Sequence, residues 1–315
     1  MKPVGLEGAL REIVGAERVR VDAPLAPYTT FRVGGPADWL VETGRADEVI
    51  RVAALARDKG IALTVLGGGS NVLVADDGVR GVVLRIHGGE VSPADQGNVR
   101  ADAGVTINGL VRWTINRGFA GVEAWAGTPG TVGGAIHGNA HFQGRLISEL
   151  LERVTVLTAG GELLELSVPE MRFGYDYSRL HDTGEIAISA IFRTQPGDPA
   201  ALRIVARESL AFRKRTQPLE SASAGCIFQN PQPGRDRVPD GIPPSAGALI
   251  DRAGMKGSRA GAASVSTTHG NFIVNHGGAS AAEIRELIER CRSEVRTRFA
   301  VDLRDEVVYL GFDRV

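Results

Sequence analysis

Apolar residues recur at two spacings in the first third of the chain, and each spacing predicts one kind of element. Over residues 46–59 they fall three or four positions apart, and Gly60 follows, which is typical of an amphipathic helix and its C-terminal end. Residues 37–41, 61–66 and 82–86 are short, predominantly apolar runs, which favour strands. This alternation of strand, helix and strand predicts a small α/β lobe with a parallel crossover.

The next part of the chain is patterned mainly as strands. Its predicted elements are a strand at 98–103, a helix at 106–117, and strands at 153–158, 162–166 and 185–194. Gly118 would close the helix, and Gly160 with Gly161 is a hairpin turn signal between two of the strands. We therefore expect an α+β lobe with an antiparallel portion.

Two longer helical patterns follow. The first has Asp198 as its N-cap and Pro199 at the first helical position. The second begins at Ser280, and Glu283 lies three residues further on, which is the spacing of a capping box. The apolar face of this last helix includes Cys291, so we expect that thiol to lie in the core.

These elements predict an α+β chain in three parts. Residues 1–87 and 88–197 form two lobes, and residues 198–315 form a C-terminal domain that ends in a strand at 306–310. The stretch 231–244 is rich in proline, glycine and charge, which predicts a surface loop.

Composition narrows the class of protein. The chain has 315 residues, with 36 basic against 37 acidic, so it has no global field to attract nucleic acid or an anionic membrane. The N-terminus lacks a signal-peptide pattern, and no apolar run approaches membrane-spanning length. Only Cys226 and Cys291 are cysteines, which predicts a cytoplasmic protein without disulfides or a cysteine-based metal site.

Two glycine-rich loops are candidates for phosphate binding. Residues 127–135 contain four glycines and two threonines, and residues 67–71 read Gly-Gly-Gly-Ser-Asn after a predicted strand. Glycine lets the backbone approach a ligand closely, and successive N–H groups can bind phosphate oxygens. Both loops could equally be tight turns. Neither fits a common nucleotide signature, because Val72 occupies the third glycine position of G-x-G-x-x-G and no Gly-Lys-Ser/Thr exists.

Single residues allow two interpretations each. Cys226 lies in a turn-flanked strand pattern and could donate a proton, because a thiol with the reference pKa of about 8.5 is protonated at neutral pH, or it could be a small core residue. His137 and His141 are four apart beside the glycine loop, yet no nearby glutamate completes a metal site, so we expect no metal. Glu306 and Tyr175 are ambiguous from local sequence alone.

Taken together, these stretches resemble the UDP-N-acetylenolpyruvoylglucosamine reductases, flavoenzymes of bacterial cell-wall synthesis. The resemblance covers residues 28–310. The two glycine loops alone would indicate only the wider FAD-binding fold of the vanillyl-alcohol oxidase type. The motifs that make the resemblance specific are residues 217–220, 223–231, 246–251, 265–266, 271–275 and 306–307.

The resemblance implies a two-lobed FAD-binding domain followed by a C-terminal α/β substrate domain of the shorter form. It implies that NADPH reduces non-covalently bound FAD, which then reduces the enolpyruvyl ether of UDP-N-acetylglucosamine. Cys226 matches the general acid that protonates the substrate carbon, and Glu306 matches a glutamate that helps to stabilise or protonate the intermediate. Tyr175 is a further catalytic position.

The resemblance also implies binding positions. Those for the cofactor are Gly67, Gly68, Gly69, Ser70, Asn71, Thr128, Pro129, Gly130, Thr131, Gly133, Gly134, Ala135 and Asn139. Those for the substrate are Ser178, Arg213, Gln229 and Asn230.

Two stretches depart from the family pattern. The family usually reads Phe-x-Tyr-Arg-x-Ser, but here Asp176 occupies the arginine position, where a carboxylate repels the charge that develops on the substrate. We hypothesise that Arg179 supplies the missing cation. The run from His141 to Gln143 also departs from the usual Ala-Gly-Ala-Tyr-Gly sequence, on the side where flavin is expected.

Two alternatives stay open at this point. Another flavin oxidoreductase of the same fold, such as an oxidase of sugars or alcohols, could attach its flavin through His137 or His141. A flavin-binding module that has lost turnover is the non-enzyme alternative, motivated by Asp176, and it predicts bound FAD that NADPH does not bleach.

Overall fold

A computed structural model describes residues 5–312, which contain eight α-helices and eighteen strands. The helices are α1 (Leu6–Val14), α2 (Ala46–Asp58), α3 (Ile107–Arg117), α4 (Val132–His137), α5 (Leu180–Thr183), α6 (Pro199–Thr216), α7 (Ala246–Arg252) and α8 (Ala281–Phe299). The strands are β1 (Val19–Pro24), β2 (Pro36–Thr43), β3 (Leu63–Leu66), β4 (Val72–Val74), β5 (Val79–Ile86), β6 (Val91–Pro93), β7 (Val99–Asp102), β8 (Phe119–Ala120), β9 (His141–Phe142), β10 (Arg145–Leu146), β11 (Leu151–Leu157), β12 (Leu163–Ser167), β13 (Ile186–Phe192), β14 (Gln195–Pro196), β15 (Arg259–Ala260), β16 (Ala263–Val265), β17 (Ile273–Asn275) and β18 (Val308–Leu310). None of these helices is both long and apolar enough to cross a membrane.

The described residues form two compact units. They are 5–22, 38–68 and 81–212 in the first unit, and 23–37, 69–80 and 213–312 in the second. Both predicted lobes fall mainly in the first unit, although two segments of the N-terminal lobe belong to the second. The division at residues 87 and 197 stays a prediction.

The first unit contains a four-stranded sheet in the order β1-β2-β5-β3. Its strands β3 and β5 are parallel, with Leu63 opposite Val82, so the predicted parallel arrangement is confirmed. Helix α1, which the sequence interpretation missed, packs in the same core through Leu6, Leu10 and Val14. Their spacing of four residues was the available signal.

A second sheet in this unit has the order β12-β11-β13-β7-β6. Strands β11 and β12 form the predicted antiparallel hairpin, with Leu157 opposite Leu163. Helix α3 begins at Thr106, whose side chain accepts a hydrogen bond from the Gly109 N–H, and ends at Gly118 with a φ of 73°. The predicted limits of this helix are confirmed, because both end residues have the expected capping geometry.

The second unit packs α7 and α8 with the antiparallel sheet β15-β16-β17. The capping box of Ser280 and Glu283 is present at the start of α8. Cys291 is 1% exposed, and burial raises the pKa of its thiol to about 12, which confirms that it is a core residue. Residues 231–244 contain no helix or strand. Strand β18 pairs in parallel with β4, so the strand predicted at 306–310 is confirmed over residues 308–310.

Candidate active site

The glycine surface of the first unit consists of Gly67, Gly68 and residues 127–135. Its two loops pack backbone against backbone, because a Cβ on Gly68 would lie 2.6 Å from the Gly130 Cα. A Cβ on Gly67 would lie 2.5 Å from Thr131 Oγ1. The two loops that the sequence predicted as separate phosphate-binding elements therefore pack against each other, with no room for a Cβ on Gly67 or Gly68.

Part of the second loop is helical, which corrects the prediction that all of residues 127–135 are loop. Thr131 is 1% exposed and caps α4, because its Oγ1 accepts a hydrogen bond from the Gly134 N–H over 3.3 Å. The Gly133 N–H donates to Ala103 O over 2.8 Å. These amides hold the loop in place. The expected cofactor contacts of Gly133, Gly134 and Ala135 stay predictions.

The other predicted cofactor positions differ in exposure. Thr128 is 9% exposed and Pro129 is exposed, whereas Ser70 is half-buried. Gly69, in the second unit, accepts a hydrogen bond from the Thr30 N–H over 2.9 Å. A Cβ at Gly69 would lie 2.1 Å from Tyr28 O, so glycine is required there by packing within the second unit.

Asn139 has a structural task that the sequence interpretation did not assign. It is fully buried with a φ of 43°, in the left-handed region that asparagine tolerates. Its Nδ2 donates to Gly174 O over 2.7 Å, and its Oδ1 accepts from the Ser148 N–H over 3.2 Å. Asn139 thus joins the segment after α4 to the turn of residues 174–177.

Ser178 makes a second connection between the same two segments. Its Oγ donates to His137 O over 2.7 Å, and the side chain is fully buried. The hydroxyl hydrogen of Ser178 is thus donated to the backbone. The expected contact of Ser178 with the substrate stays a prediction. The turn between Gly174 and Ser178 has Asp176 at a φ of 52°.

Asp176 and His141 form a pair that sequence reasoning missed, although it noted both residues as departures. His141 Nδ1 lies 3.0 Å from Asp176 Oδ1, with the two side chains 25% and 9% exposed. The Tyr175 ring packs beside His141, with ring centroids 4.9 Å apart. The available signal was that residues 141 and 176 both depart from the family pattern. Nothing in the local sequence, however, indicated that the two are in contact.

Arg179 pairs with Glu185, whereas we hypothesised that it supplies a cation to the substrate. Its Nε and one terminal nitrogen donate to both oxygens of Glu185, over 2.9 Å and 2.8 Å. The other terminal nitrogen donates to Glu170 O over 3.3 Å. Because Glu185 is only 6% exposed, Arg179 neutralises a buried carboxylate, which weighs against a second role toward a substrate anion.

His137, the last residue of α4, stacks on His181 with ring centroids 4.0 Å apart. Burial, and secondarily the neighbouring His181, lowers the pKa of His137 to about 4. The imidazole is therefore neutral at pH 7 and packs at the C-terminal end of α4.

In the second unit, two distant segments of the chain pair and bring Cys226 close in register to Glu306. These paired segments are residues 226–230 and 304–308. Phe228 and Asp305 form an antiparallel bridge, and the Glu306 N–H donates to Ile227 O over 2.8 Å. Both predicted catalytic residues thus belong to one local structure, half-buried in each case.

Asn271 fixes the first of the paired segments. Its Oδ1 accepts from the Phe228 N–H over 2.9 Å, and its Nδ2 donates to Phe228 O over 2.7 Å. Asn271 is 2% exposed, so both bonds are shielded from water. Asn271 lies in one of the motifs that carry the family resemblance, 271–275, for which the resemblance implied no role.

Asn71 fixes the second of the paired segments. Its Nδ2 donates to Glu306 O over 3.0 Å, and its backbone carbonyl accepts from the Val308 N–H over 3.0 Å. A residue predicted as a cofactor contact therefore holds the backbone of the predicted catalytic glutamate. A direct contact with the cofactor stays a prediction.

The remaining predicted substrate residues lie in the second unit. Arg213 is 5% exposed, and burial lowers its pKa to about 10, although it still carries its charge at neutral pH. The Gln229 N–H donates to Arg304 O over 2.8 Å. Asn230 Oδ1 accepts from the Ala246 N–H at the start of α7 over 3.0 Å.

Comparison with known proteins connects these features to one family. Residues 37–167 match the sequence family of an FAD binding domain, and residues 217–310 match that of the UDP-N-acetylenolpyruvoylglucosamine reductase C-terminal domain. The chain is 40% identical over 299 residues to UDP-N-acetylenolpyruvoylglucosamine reductase of Parasynechococcus marenigrum (strain WH8102), covering 93% of this chain and 96% of that protein. It is 34% identical over 313 residues to the protein of the same name in Bacillus velezensis, covering 98% and 100%.

Solved structures agree with this assignment. The crystal structure of UDP-N-acetylenolpyruvylglucosamine reductase from Thermus caldophilus aligns with a TM-score of 0.76 and 34% identity, over 93% of this chain and all of that one. A structure of alkyldihydroxyacetonephosphate synthase, only 16% identical, covers 62% of this chain and 41% of its own at a TM-score of 0.50, which indicates a shared fold alone. The predicted α+β fold, an FAD-binding domain followed by a C-terminal substrate domain, is confirmed.

Proposed function

Because this chain belongs to the UDP-N-acetylenolpyruvoylglucosamine reductase family, we propose how its own residues perform the reaction of that family. It is an FAD-dependent oxidoreductase that uses NADPH to reduce the enolpyruvyl ether of UDP-N-acetylglucosamine to UDP-N-acetylmuramate, in peptidoglycan precursor synthesis. When bound, FAD would supply the hydride-transfer chemistry of the reaction. The partners we propose are these small molecules, without nucleic acid or membrane.

We assign the pyrophosphate of non-covalently bound FAD to the glycine surface. Gly68 leaves no room for a Cβ, Gly130 has a φ of 97° that favours glycine, and Thr131 is buried at the start of α4, so the backbone is available at close range where a side chain would obstruct it. Gly67 and Thr128 complete the residues that would hold the group. Uncharged backbone amides and hydroxyls suit the oxygens of a diphosphate.

Cys226 is the proposed general acid. Hydride addition to the vinyl carbon leaves negative charge next to the substrate carboxylate, and the adjacent carbon must then gain a proton. The Cys226 thiol would donate that proton from Sγ. The paired segments carry this proposal, because they hold Cys226 and Glu306 in one local structure although the two residues are far apart in sequence.

Glu306 is the proposed partner of Cys226 in handling charge and proton. Both backbone groups of Glu306 are hydrogen-bonded: its N–H donates to Ile227 O, and its carbonyl accepts from Asn71 Nδ2. The backbone of Glu306 is thereby fixed before the substrate arrives, which limits the reorganisation needed during the reaction. Its task is to stabilise or protonate the enolate-like species.

An anaerobic stopped-flow experiment tests the function in two steps. NADPH is added first to the FAD-loaded protein, and the absorbance of oxidised flavin is followed. The UDP-enolpyruvyl sugar is then added to the reduced protein, and the return of that absorbance is followed. We expect bleaching in the first step and fast, saturable reoxidation in the second, with UDP-N-acetylmuramate as the product.

The two steps separate the alternatives. Bleaching without reoxidation by the sugar would contradict the proposed substrate and leave an oxidoreductase of another compound. Bound FAD that NADPH does not bleach would contradict the enzymatic assignment itself. UDP-N-acetylglucosamine without the enolpyruvyl group is the matched control, since it offers the same nucleotide and sugar but no vinyl carbon to accept the hydride.

A further inference from the structure

Asp176 carries a carboxylate that is largely shielded from water. Its side chain is 9% exposed, and Oδ1 contacts His141 Nδ1 over 3.0 Å. The second oxygen, Oδ2, is buried and has no hydrogen-bond partner among residues 5–312. A buried carboxylate that is only half satisfied is costly to maintain, which points to a task beyond packing.

The backbone around this pair is fixed on both sides. Asn139 Nδ2 donates to Gly174 O, and Ser178 Oγ donates to His137 O, each over 2.7 Å. The turn that carries Asp176 is therefore hydrogen-bonded to the segment that leads into His141. The adjacent Tyr175 ring limits the movement of the imidazole. Position and ring plane are both set before any ligand binds.

Hydrogen-bond chemistry decides which ring nitrogen is left for a ligand. A carboxylate only accepts, so Nδ1 of His141 must carry the proton of the contact with Asp176. Nε2 is then the nitrogen for other partners, and it donates when the imidazole is charged. An imidazolium between two carboxylates donates to both, so the pair is suited to an anionic ligand.

We propose that His141 contacts the substrate, with Nε2 donating to the carboxylate of the enolpyruvyl group, and that Asp176 is its positioning residue. The inference rests on the proposed function, because that function supplies the carboxylate. It joins the two departures from the family pattern into one exchange, in which a carboxylate at residue 176 orients the imidazole at residue 141. Arg179 is already committed to Glu185.

The test uses NADPH-reduced, FAD-loaded protein and measures reoxidation against the concentration of the UDP-enolpyruvyl sugar. His141→Ala should raise the half-saturating concentration about 10- to 100-fold, the range for a lost charge-assisted hydrogen bond, while flavin bleaching by NADPH is unchanged. Asp176→Asn should have a smaller effect in the same direction, because the imidazole remains. Added imidazole should partly restore the His141→Ala variant, which a purely structural role would not allow.

Two further variants make the test decisive. In the double variant His141→Ala/Asp176→Asn, the effect should equal that of His141→Ala alone, because Asp176 acts through His141. His181→Ala is the control and should leave the half-saturating concentration of the sugar unchanged. It is a nearby histidine whose ring contacts are His137 and Tyr177.

Each outcome decides between the proposals. Normal sugar saturation in His141→Ala would overturn this inference, and multiplied effects in the double variant would overturn the positioning role of Asp176. If the wild-type protein itself is not reoxidised by the sugar, the proposed function fails. Normal wild-type turnover with unaffected variants removes only the inference about this pair.

Discussion

The glycine surface of the first unit and the paired segments of the second are built in different ways. The glycine surface depends on the absence of side chains within two short stretches of consecutive residues, such as Gly68 against Gly130. The paired segments depend on hydrogen bonds between parts of the chain that are far apart in sequence, such as Glu306 N–H to Ile227 O. The proposed cofactor binding therefore depends on local volume, whereas the proposed proton transfer depends on long-range register.

Removing the proposed general acid should separate the two regions most clearly. In Cys226→Ala, product formation should fall by about 100- to 10,000-fold, the usual contribution of a positioned acid. Bleaching of FAD by NADPH should continue, because the glycine surface is untouched. Stopped-flow absorbance and product quantification measure both, and Cys226→Ser should keep part of the activity because a hydroxyl can still deliver a proton.

Cys291→Ala is the matched control for this prediction. Cys291 is the other cysteine of the chain, and it is 1% exposed in the core of the second unit. Its replacement should leave the reoxidation rate unchanged. If Cys226→Ala instead lost the bleaching step, Cys226 would belong to cofactor or nicotinamide binding and not to protonation of the substrate.

Asn271→Ala tests the frame of the paired segments. The substitution leaves the Phe228 N–H and carbonyl buried without their partners, each at a cost of about 1–3 kcal/mol. We expect the free energy of unfolding to fall by about 2–4 kcal/mol and product formation to fall with it, because Cys226 loses its fixed position. Denaturant unfolding with a parallel turnover assay measures both quantities.

Exposed Asn116, which accepts a hydrogen bond from Arg203, provides the comparison for that variant. Asn116→Ala should change stability by no more than about 0.5 kcal/mol, as is usual at a surface position. Equal stability of the Asn271 and Asn116 variants would show that the hydrogen bonds to Phe228 do not hold the segment.

Gly68→Ala tests the glycine surface through volume alone. The φ of Gly68 lies outside the left-handed region, so alanine is conformationally acceptable there, but its Cβ would lie 2.6 Å from Gly130 Cα. We expect weaker FAD binding and a loss of about 1–3 kcal/mol of stability, typical of overpacking. Flavin titration and denaturant unfolding measure these effects.

Gly8→Ala is the control for that substitution. Gly8 lies in α1, and a Cβ there has nothing within 4 Å, so alanine should stabilise the helix by about 0.5–1 kcal/mol. Wild-type FAD affinity in Gly68→Ala would mean that the loops can separate without penalty, and that contact between their backbones does not form the binding surface.

The same difference between the two regions decides what could be predicted from the sequence. Features set by adjacent residues were predicted, whereas contacts between distant segments were not. The helices with clear end signals, such as α3 between Thr106 and Gly118, were predicted within one residue, because capping is decided by adjacent residues. The glycine loops were recognised for the same reason. Their mutual packing was not, because periodicity and turn chemistry carry no information about which loops meet.

The tasks of polar residues were harder to predict than their presence. Asn139 and Asn71 were expected at the cofactor, yet their amides hydrogen-bond to backbone carbonyls of Gly174 and Glu306. Arg179 was expected at the substrate, yet its partner is the buried Glu185. In each case the partner comes from a separate turn or strand, and only the tertiary fold places the two in contact.

The smallest expected effect is the contribution of His137, the last residue of α4, to the pH dependence of stability. Burial lowers the pKa of His137 to about 4, below the ordinary value of 6.5, so the unfolded chain takes up this proton first as the pH falls. The stabilisation is therefore complete above pH 6.5 and is lost progressively toward pH 4.

Between pH 7 and pH 5 the wild-type protein should lose about 1–2 kcal/mol more stability than His137→Gln, which has no imidazole to protonate at this position. Urea unfolding of both proteins at the two pH values measures the difference. Equal losses would mean that water reaches the ring and that His137 titrates as in the unfolded chain. Cys226→Ala leaves His137 unchanged, so its stability should show the wild-type dependence on pH.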